Sequence, residues 1–251
     1  EGAISKEDAK LSKKELKEKK KNRMVYPSVA YEIGAQITER TPVERALDVG
    51  TGCGIQTFHL LAHARHVTAT DISERALAFT RFNLLLNAPT LDIDPQNPQA
   101  RVSLREGSLL EPVAGERFDL VVSNPPFVIT PRVAGESAEE QFTCRDGGLP
   151  GDEVVSTMVR RLPSILVPGG RAQMLGNWEI IRDSEDPSQP RSWDERVRAW
   201  VEDADAEAWI IQRETLSPES YAETWLKDAS ENRDRKHYEQ TYVAYLNDFE
   251  S

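Results

Sequence analysis

Short apolar runs alternate with helical patterns along the middle of the chain. Six runs predict strands, and they lie at residues 45–50, 66–71, 101–106, 118–123, 170–177 and 207–213. Between them, segments with apolar positions at helical spacing predict helices, such as SERALAFTRFNLLLNA, which Ser73 would cap. Strands that alternate with helices form βαβ units, and their right-handed crossovers give a parallel sheet covered on both faces. We therefore predict an α/β fold with a doubly wound, mostly parallel sheet.

The two ends of the chain have helical rather than strand-like patterns. Residues 1–24 predict a basic helical arm or linker, and a second helix follows, with Ser28 as its expected N-cap. Residues 25–251 are then the main domain. After residue 213 the sequence predicts two further helices, at SPESYAETWLKDA and DRKHYEQTYVAYLNDF. We count no strand pattern there.

Composition narrows the class of protein without identifying it. The chain has 251 residues, of which 39% are hydrophobic, and its mean hydropathy is −0.55. The apolar runs are far too short for a membrane span, and the N-terminus lacks the apolar core of a signal peptide. Two cysteines are too few for a disulfide framework. We predict a cytoplasmic protein that does not associate with a membrane.

Charge is distributed unevenly. The net charge is −11, but residues 6–23 hold nine Lys or Arg against four Asp or Glu. A basic arm on an acidic body can contact nucleic-acid phosphate. The alternative is a solvated helix with Glu–Lys pairs along its surface.

A glycine-rich turn stands between the first predicted strand and its helix. In LDVGTGCGIQ the glycines are Gly50, Gly52 and Gly54, and Asp71 ends the next strand. Glycines let backbone N–H groups approach a ligand at a helix N-terminus, and an acid at the second strand can bind a ribose diol. The G-x-G-x-G spacing with Asp48 before it favours a ligand with a positive centre over a dinucleotide pyrophosphate. A plain tight turn is the structural alternative.

A second motif, NPPF, ends the fourth predicted strand. Asn124, Pro125, Pro126 and Phe127 follow the apolar run FDLVVS directly. The carboxyl ends of parallel strands meet at one edge of the sheet, so this motif and the glycine turn would face the same crevice. The structural alternative is a strand that stops at an Asn-Pro turn.

Taken together, LDVGTGCG, ATDIS and VSNPPFV resemble the class I S-adenosylmethionine-dependent methyltransferases that carry an NPP(Y/F) motif. That group includes HemK-type glutamine methyltransferases, small-domain guanine methyltransferases of ribosomal RNA and adenine amino-methyltransferases. The resemblance covers about residues 24–215. It implies a Rossmann-like fold and S-adenosyl-L-methionine as the cofactor.

The resemblance also implies roles for individual residues. Asp48 would lie near the methionine end of the cofactor, Asp71 would hold its ribose, and Ile72 and Ser108 would lie at the adenine. Gly50, Thr51, Gly52 and Gly54 would line the cofactor.

At the second motif, the Asn124 side-chain oxygen and the Pro125 carbonyl would accept the two N–H groups of a planar amine. Asn124 also borders the cofactor. The two prolines fix the backbone, and Phe127 would stack on the planar group. The chemistry requires alignment and charge placement, and no metal.

The loop after NPPF, two histidines and a cysteine are further candidates for a functional role. The stretch CRDGGLPGDE closes a long loop after NPPF, and Arg132, Arg145 and Trp178 are expected around a substrate loop. The alternative is a surface loop, with Trp178 in the core. His59 and His63 have metal-binding spacing on a helix but no third ligand, and we predict Cys53 to be a small packing residue.

The sequence leaves several substrates open. The leading prediction is an exocyclic base amine in ribosomal RNA or another nucleic acid, favoured by Phe127 and the basic arm. The alternative is a glutamine side chain in a protein such as a release factor, favoured by the acidic body and the helix after the loop. A small-molecule amine and a non-catalytic, methyltransferase-like binding subunit are further alternatives.

The resemblance implies one more strand than the sequence supplies. Class I methyltransferases have seven strands, the last antiparallel beside the fifth, and we count six. We therefore expect residues 1–251 to be an excerpt of a longer chain, cut before the seventh strand, with an exposed apolar edge between strands five and six.

Overall fold

The computed structural model describes residues 34, 36–130, 149–182, 190–229 and 235–250. Within these residues one sheet has five strands in the order β3-β2-β1-β4-β5, and every pair is parallel. The strands are β1 (Val43–Val49), β2 (Ala64–Asp71), β3 (Val102–Glu106), β4 (Phe118–Ser123) and β5 (Leu166–Met174). The predicted α/β fold with a doubly wound parallel sheet is confirmed.

Helices cover both faces of this sheet. In the described residues they are α1 (Ile55–Leu61), α2 (Glu74–Leu86), α3 (Ala88–Leu91), α4 (Glu153–Arg161), α5 (Glu195–Asp203), α6 (Pro218–Ala229) and α7 (Arg235–Glu250). Short 3₁₀ turns lie at Pro98–Ala100, Glu111–Val113 and Leu162–Ile165. Ser73 caps α2 as predicted, since its side chain accepts a hydrogen bond from the Ala76 amide at 3.3 Å.

The core is divided by the sheet into two apolar clusters. One packs side chains of α1, α2 and α3 against the sheet, and its fully buried members include Ala46, Leu60 and Val67. The other lies on the opposite face, where Met158 of α4 packs against Leu47 and other strand residues. Because successive strand side chains point to opposite faces, the apolar strands contribute to both clusters.

The fifth strand starts earlier than predicted because a bulge precedes its regular part. Phe118 pairs with Leu166 and Leu120 with Arg171, so β5 holds extra residues between the two pairs. A side chain at Gly170 would place its Cβ only 2.9 Å from the carbonyl oxygens of Phe118 and Val167. The glycine is therefore required by close backbone approach, and the strand that we predicted at 170–177 begins at Leu166 instead.

The predicted sixth strand, 207–213, is wrong for this structure. Residues 206–216 run without regular secondary structure. Trp209 is 91% exposed and Ile211 is 73% exposed. A strand needs a neighbour to pair with, and in the described part of the chain β5 pairs only with β4. Residues 235–250 are helical, in agreement with the expectation that this region supplies no strand.

Candidate cofactor and acceptor site

The strand register brings both sequence motifs to one edge of the sheet. Val49 of β1 lies between Thr70 of β2 and Ser123 of β4. The residues that follow these three are Gly50, Asp71 and Asn124, at the carboxyl ends of the central strands. This edge is where open α/β sheets bind their ligands.

The glycine turn adopts a backbone that side chains disfavour. Gly50, Gly52 and Gly54 have φ angles of +74°, +58° and +95°. A Cβ at Gly54 would also lie 2.7 Å from the Phe58 ring and 3.0 Å from Thr80. Both backbone angle and space therefore require glycine at this position.

Hydrogen bonds from neighbouring elements hold the turn. The amides of Gly50 and Thr51 both donate to the Thr70 carbonyl at 2.9 Å. From α2, the Thr80 hydroxyl donates to the Gly52 carbonyl at 2.9 Å, and the Asn83 side chain donates to the Cys53 carbonyl at 3.0 Å. We did not identify these two α2 residues from the sequence. Two polar side chains three positions apart lie on one side of a helix, and this spacing could have indicated a shared polar contact.

Asp48 is a fully buried carboxylate with one oxygen in use. Its Oδ2 accepts a hydrogen bond from the Thr57 hydroxyl at 2.7 Å, and Thr57 in turn lies 3.0 Å from the Thr51 hydroxyl. Its Oδ1 is buried and accepts no hydrogen bond from the described residues. Burial raises the pKa of Asp48 to about 6, with only partial compensation by the threonine hydrogen bonds. A buried acceptor without a partner is costly, so this oxygen fits a site for a positively charged donor.

Asp71 stands opposite the turn and is held by two backbone amides. Its Oδ2 accepts from Gly52 N and its Oδ1 from Ser73 N, both at 2.9 Å. The next side chain, Ile72, is 62% exposed. Ser108 lies nearby, because the Gly107 amide donates to the Asp71 carbonyl at 3.0 Å. The structure thus brings together the residues expected at the ribose and the adenine.

Asn124 lies directly beside the glycine turn. A Cβ built on Gly50 would lie 3.9 Å from the Asn124 carbonyl oxygen. The preceding residue is fixed by the Ser123 hydroxyl, which donates to the Val49 carbonyl at 2.9 Å. Asn124 Oδ1 is buried and has no hydrogen-bond partner in the described part of the chain. The motif therefore presents an unused acceptor at the cofactor crevice.

Phe127 and Trp178 pack into the same small cluster. Both lie against buried Val155, Val197 and Trp200, on the helix layer formed by α4 and α5. The Trp178 indole N–H donates to the Trp193 carbonyl at 2.6 Å, and the two indole rings stack with centroids 6.3 Å apart. Trp178 is therefore a partly buried packing residue that, with Asn124, also borders an open groove. The other expected loop residues, Arg132 and Arg145, lie outside the described residues, as does the basic arm.

A tyrosine from the C-terminal helices reaches this edge of the sheet. The Tyr221 hydroxyl accepts a hydrogen bond from the Ile129 amide at 2.9 Å and another from the Asn177 side chain at 3.1 Å. Sequence reasoning did not single out Tyr221, since nothing in its local helical pattern distinguishes it from a packing residue.

An open groove of about 3030 Å³ begins at Asn124–Ile129 and runs along β5 towards residues 206–216. Most of its length borders the unpaired edge of β5, away from the glycine turn. The end of the groove beside Asn124 holds the buried, unpartnered Oδ1 of that residue.

From the sequence we also expected no metal site and no membrane-spanning segment. Among the residues that the structure describes, no group of three or more His, Cys, Asp or Glu is arranged to hold a metal ion. The helices described here include none with the length and apolar character that crossing a membrane requires.

The strand order, the glycine turn after β1, the acid that ends β2 and the NPPF motif after β4 define a class I S-adenosylmethionine-dependent methyltransferase domain. A family model for the methyltransferase small domain matches residues 35–180, which is more than half of the chain. The chain therefore belongs to the methyltransferase small domain family. The predicted family resemblance and cofactor are confirmed at this level.

Curated relatives of similar sequence carry glutamine methyltransferase names. The chain is 32% identical over 168 residues to a ribosomal protein uL3 glutamine methyltransferase from Bradyrhizobium diazoefficiens, covering 64% of the chain and 50% of that protein. It is 35% identical over 131 residues to a release factor glutamine methyltransferase from Geobacter sulfurreducens, covering 49% and 42%. The chain thus spans about half the length of the curated relatives that it matches.

A solved structure supports the fold alone. The YcgJ protein from Bacillus subtilis is similar over 87% of this chain and 83% of its own, with a TM-score of 0.51 and 16% sequence identity.

Proposed function

We propose that this chain is an S-adenosylmethionine-dependent N-methyltransferase whose acceptor is the side-chain amide of a protein glutamine. The observation that carries the proposal is the unpartnered, buried Asn124 Oδ1 beside the glycine turn. The names of the two curated relatives support a glutamine acceptor over the RNA base that the sequence alone favoured.

The residues of this chain fit the cofactor. Asp48 Oδ1 offers a negative, unused acceptor for the amino group, Asp71 offers carboxylate oxygens to the ribose, and exposed Ile72 offers an apolar surface to the adenine. When bound, S-adenosylmethionine supplies a methyl group that its sulfonium already activates. The protein's own task is then to orient the acceptor.

Orientation matters because an amide nitrogen is a weak nucleophile. Its lone pair is delocalised into the carbonyl group. Asn124 Oδ1 and the Pro125 carbonyl oxygen each accept one N–H of the acceptor, which fixes the nitrogen with its lone pair facing the methyl group. Pro125 and Pro126 lock φ and so keep both oxygens in place. The planar Phe127 ring can stack on the amide plane.

Methyl transfer from labelled S-adenosylmethionine to purified acceptors tests this proposal. We expect label in release factor or in ribosomal protein uL3, located on a glutamine by mass spectrometry, and none with Asn124→Ala. If calorimetry detects no binding of S-adenosylmethionine, the assignment of methyltransferase activity would be overturned. Label in ribosomal RNA alone would overturn the glutamine acceptor.

An RNA base amine is the second candidate, favoured by the basic segment at residues 6–23. If RNA is the substrate, neutralising Lys19, Lys20 and Lys21 should raise the Michaelis constant for RNA and flatten its salt dependence. An unchanged salt slope would remove the arm from this argument.

A further inference from the structure

Among the described residues, the segment that carries the two candidate acceptor oxygens makes few hydrogen bonds to the rest of the protein. Residues 124–130 have no regular secondary structure. Pro125 and Pro126 lack N–H groups, so neither can donate a backbone hydrogen bond. Within the described part of the chain, the one hydrogen bond that ties residues 125–130 to the rest of the protein runs from the Ile129 amide to Tyr221.

The same hydroxyl also holds the segment that leaves the neighbouring strand. Asn177, three residues after β5, donates its side-chain N–H to Tyr221 Oη. Ile129 lies five residues after Asn124, on the segment that leaves β4. One oxygen atom therefore bridges the two segments that form the acceptor side of the crevice.

The position of this hydroxyl is itself fixed. The Tyr221 ring contacts those of Trp225, Tyr245 and Phe249, with centroids 6.1, 6.4 and 5.7 Å away. Burial raises the pKa of Tyr221 to about 12, so the group stays a neutral hydroxyl throughout the usable pH range. Its two lone pairs can accept both donors at once.

We propose that Tyr221 is a positioning residue for methyl transfer, because its hydroxyl sets the place of the NPPF segment relative to the end of β5. The proposal rests on the proposed function. The Tyr221 hydroxyl bonds to Ile129 and Asn177 and to neither Asn124 nor Pro125, so we expect it to act through the Ile129 backbone. Its loss should therefore change the rate of transfer and leave cofactor affinity unaltered.

Tyr221→Phe removes only the hydroxyl and tests the proposal. Tyr242→Phe is a matched control, because this half-buried tyrosine belongs to the same α6–α7 cluster. We expect Tyr221→Phe to lower kcat about 3- to 10-fold, the range that one lost hydrogen bond supports. The Kd for S-adenosylmethionine should stay within about two-fold, since Asp48 and Asp71 are unaffected. Tyr242→Phe should match the parent.

Amide hydrogen exchange separates positioning from general stability. In Tyr221→Phe the Ile129 amide should exchange faster while the α6 and α7 amides stay protected, and in Tyr242→Phe it should not change. A parent-like kcat in Tyr221→Phe would overturn the proposal. A variant that loses rate, cofactor affinity and melting temperature together would also overturn it, because that pattern indicates a general loss of stability.

Asn177→Ala removes the other partner and provides a second route if Tyr221→Phe folds poorly. It should lower kcat in the same direction, and the double variant should lose less than the product of the two single effects. Independent effects would contradict a shared bridge. If the parent itself transfers no methyl group to any acceptor, the proposed function has failed, and that result precedes any comparison of variants.

Discussion

The cofactor side and the acceptor side of the crevice are built in different ways. On the cofactor side, the glycine turn and Asp71 are held by several hydrogen bonds of 2.9–3.0 Å, from β2 and from Thr80 and Asn83 of α2. On the acceptor side, residues 124–130 form no strand or helix, and Tyr221, from far along the chain, supplies their support.

This difference shows which properties of the enzyme follow from the family. Most of the cofactor side lies within residues 48–83, and the family model covers this stretch together with Ser108 and Asn124. The acceptor side also depends on α6, which lies beyond the matched residues 35–180. Cofactor chemistry can therefore be inferred from family membership, whereas acceptor identity has to be measured on this chain.

The largest expected effect is on the rate of methyl transfer and comes from the acceptor side. Asn124→Ala should lower the rate of methyl transfer about 10²- to 10³-fold, as removal of one preorganised polar contact at a reacting group does elsewhere. Cofactor affinity should stay within a few-fold. Single-turnover kinetics and calorimetry measure the two quantities, with exposed Asn97→Ala as the control. A parent-like rate would mean that NPPF only ends β4.

A variant on the cofactor side should lose cofactor affinity and keep its rate at saturation. Asp71→Ala should weaken S-adenosylmethionine binding by about 1–3 kcal/mol, because it removes a charged hydrogen-bond acceptor. Once the enzyme is saturated with cofactor, the rate should recover most of its parent value. Calorimetric titration tests this, with exposed Glu74→Ala as the matched acid. Unchanged affinity would place the ribose elsewhere.

The affinity for S-adenosylmethionine should depend on pH through Asp48 on the cofactor side. The pKa of Asp48 is about 6, so its carboxylate gains a proton as the pH falls through that value. If Asp48 meets the cofactor's amino group as proposed, protonation removes the negative charge that binds it, and affinity should fall roughly ten-fold between pH 7 and pH 5. Asp48→Asn should bind weakly at every pH. If the parent's affinity were flat over this range, Asp48 would not meet that charge.

The smallest effect concerns the support of the glycine turn. Thr80→Val keeps the shape of a fully buried side chain but loses its hydrogen bond to Gly52. The free energy of unfolding should fall by about 1 kcal/mol and cofactor affinity by a few-fold, while the rate at saturation stays unchanged. Urea unfolding measures the first quantity, and exposed Thr90→Val is the control. A loss of rate at saturating cofactor would show that the two sides are coupled.

The local patterns of the sequence predicted the cofactor side well. Strands β1 to β4 lie within a few residues of their predicted positions, and the register places Asp48, Gly50 and Asp71 as expected. Each of these predictions depends on short-range information: an apolar run, a glycine that needs positive φ, an acid where a strand ends.

The misses involve contacts between distant residues. The pattern at 207–213 is strand-like, but this segment does not pair with the edge of β5 in the described residues, and pairing with a distant strand cannot be inferred from a local pattern. Tyr221 meets Ile129 across 92 residues, so no local pattern could indicate its role. The position of Asn124 at the crevice could be predicted because the NPPF motif directly follows a strand pattern, and its role was implied by the family resemblance.

The position of β4 beside β1 has a consequence for how the molecule is made. β1 and β2 are joined by one short helix, whereas Ser123 and Val49 meet across 74 residues. Closing the larger loop costs more chain entropy, so during synthesis we expect β1, β2 and β3 to associate first. Until β4 arrives, β1 has an open edge that can pair with another chain. The interval between these two events is when a chaperone would be of most use to this protein.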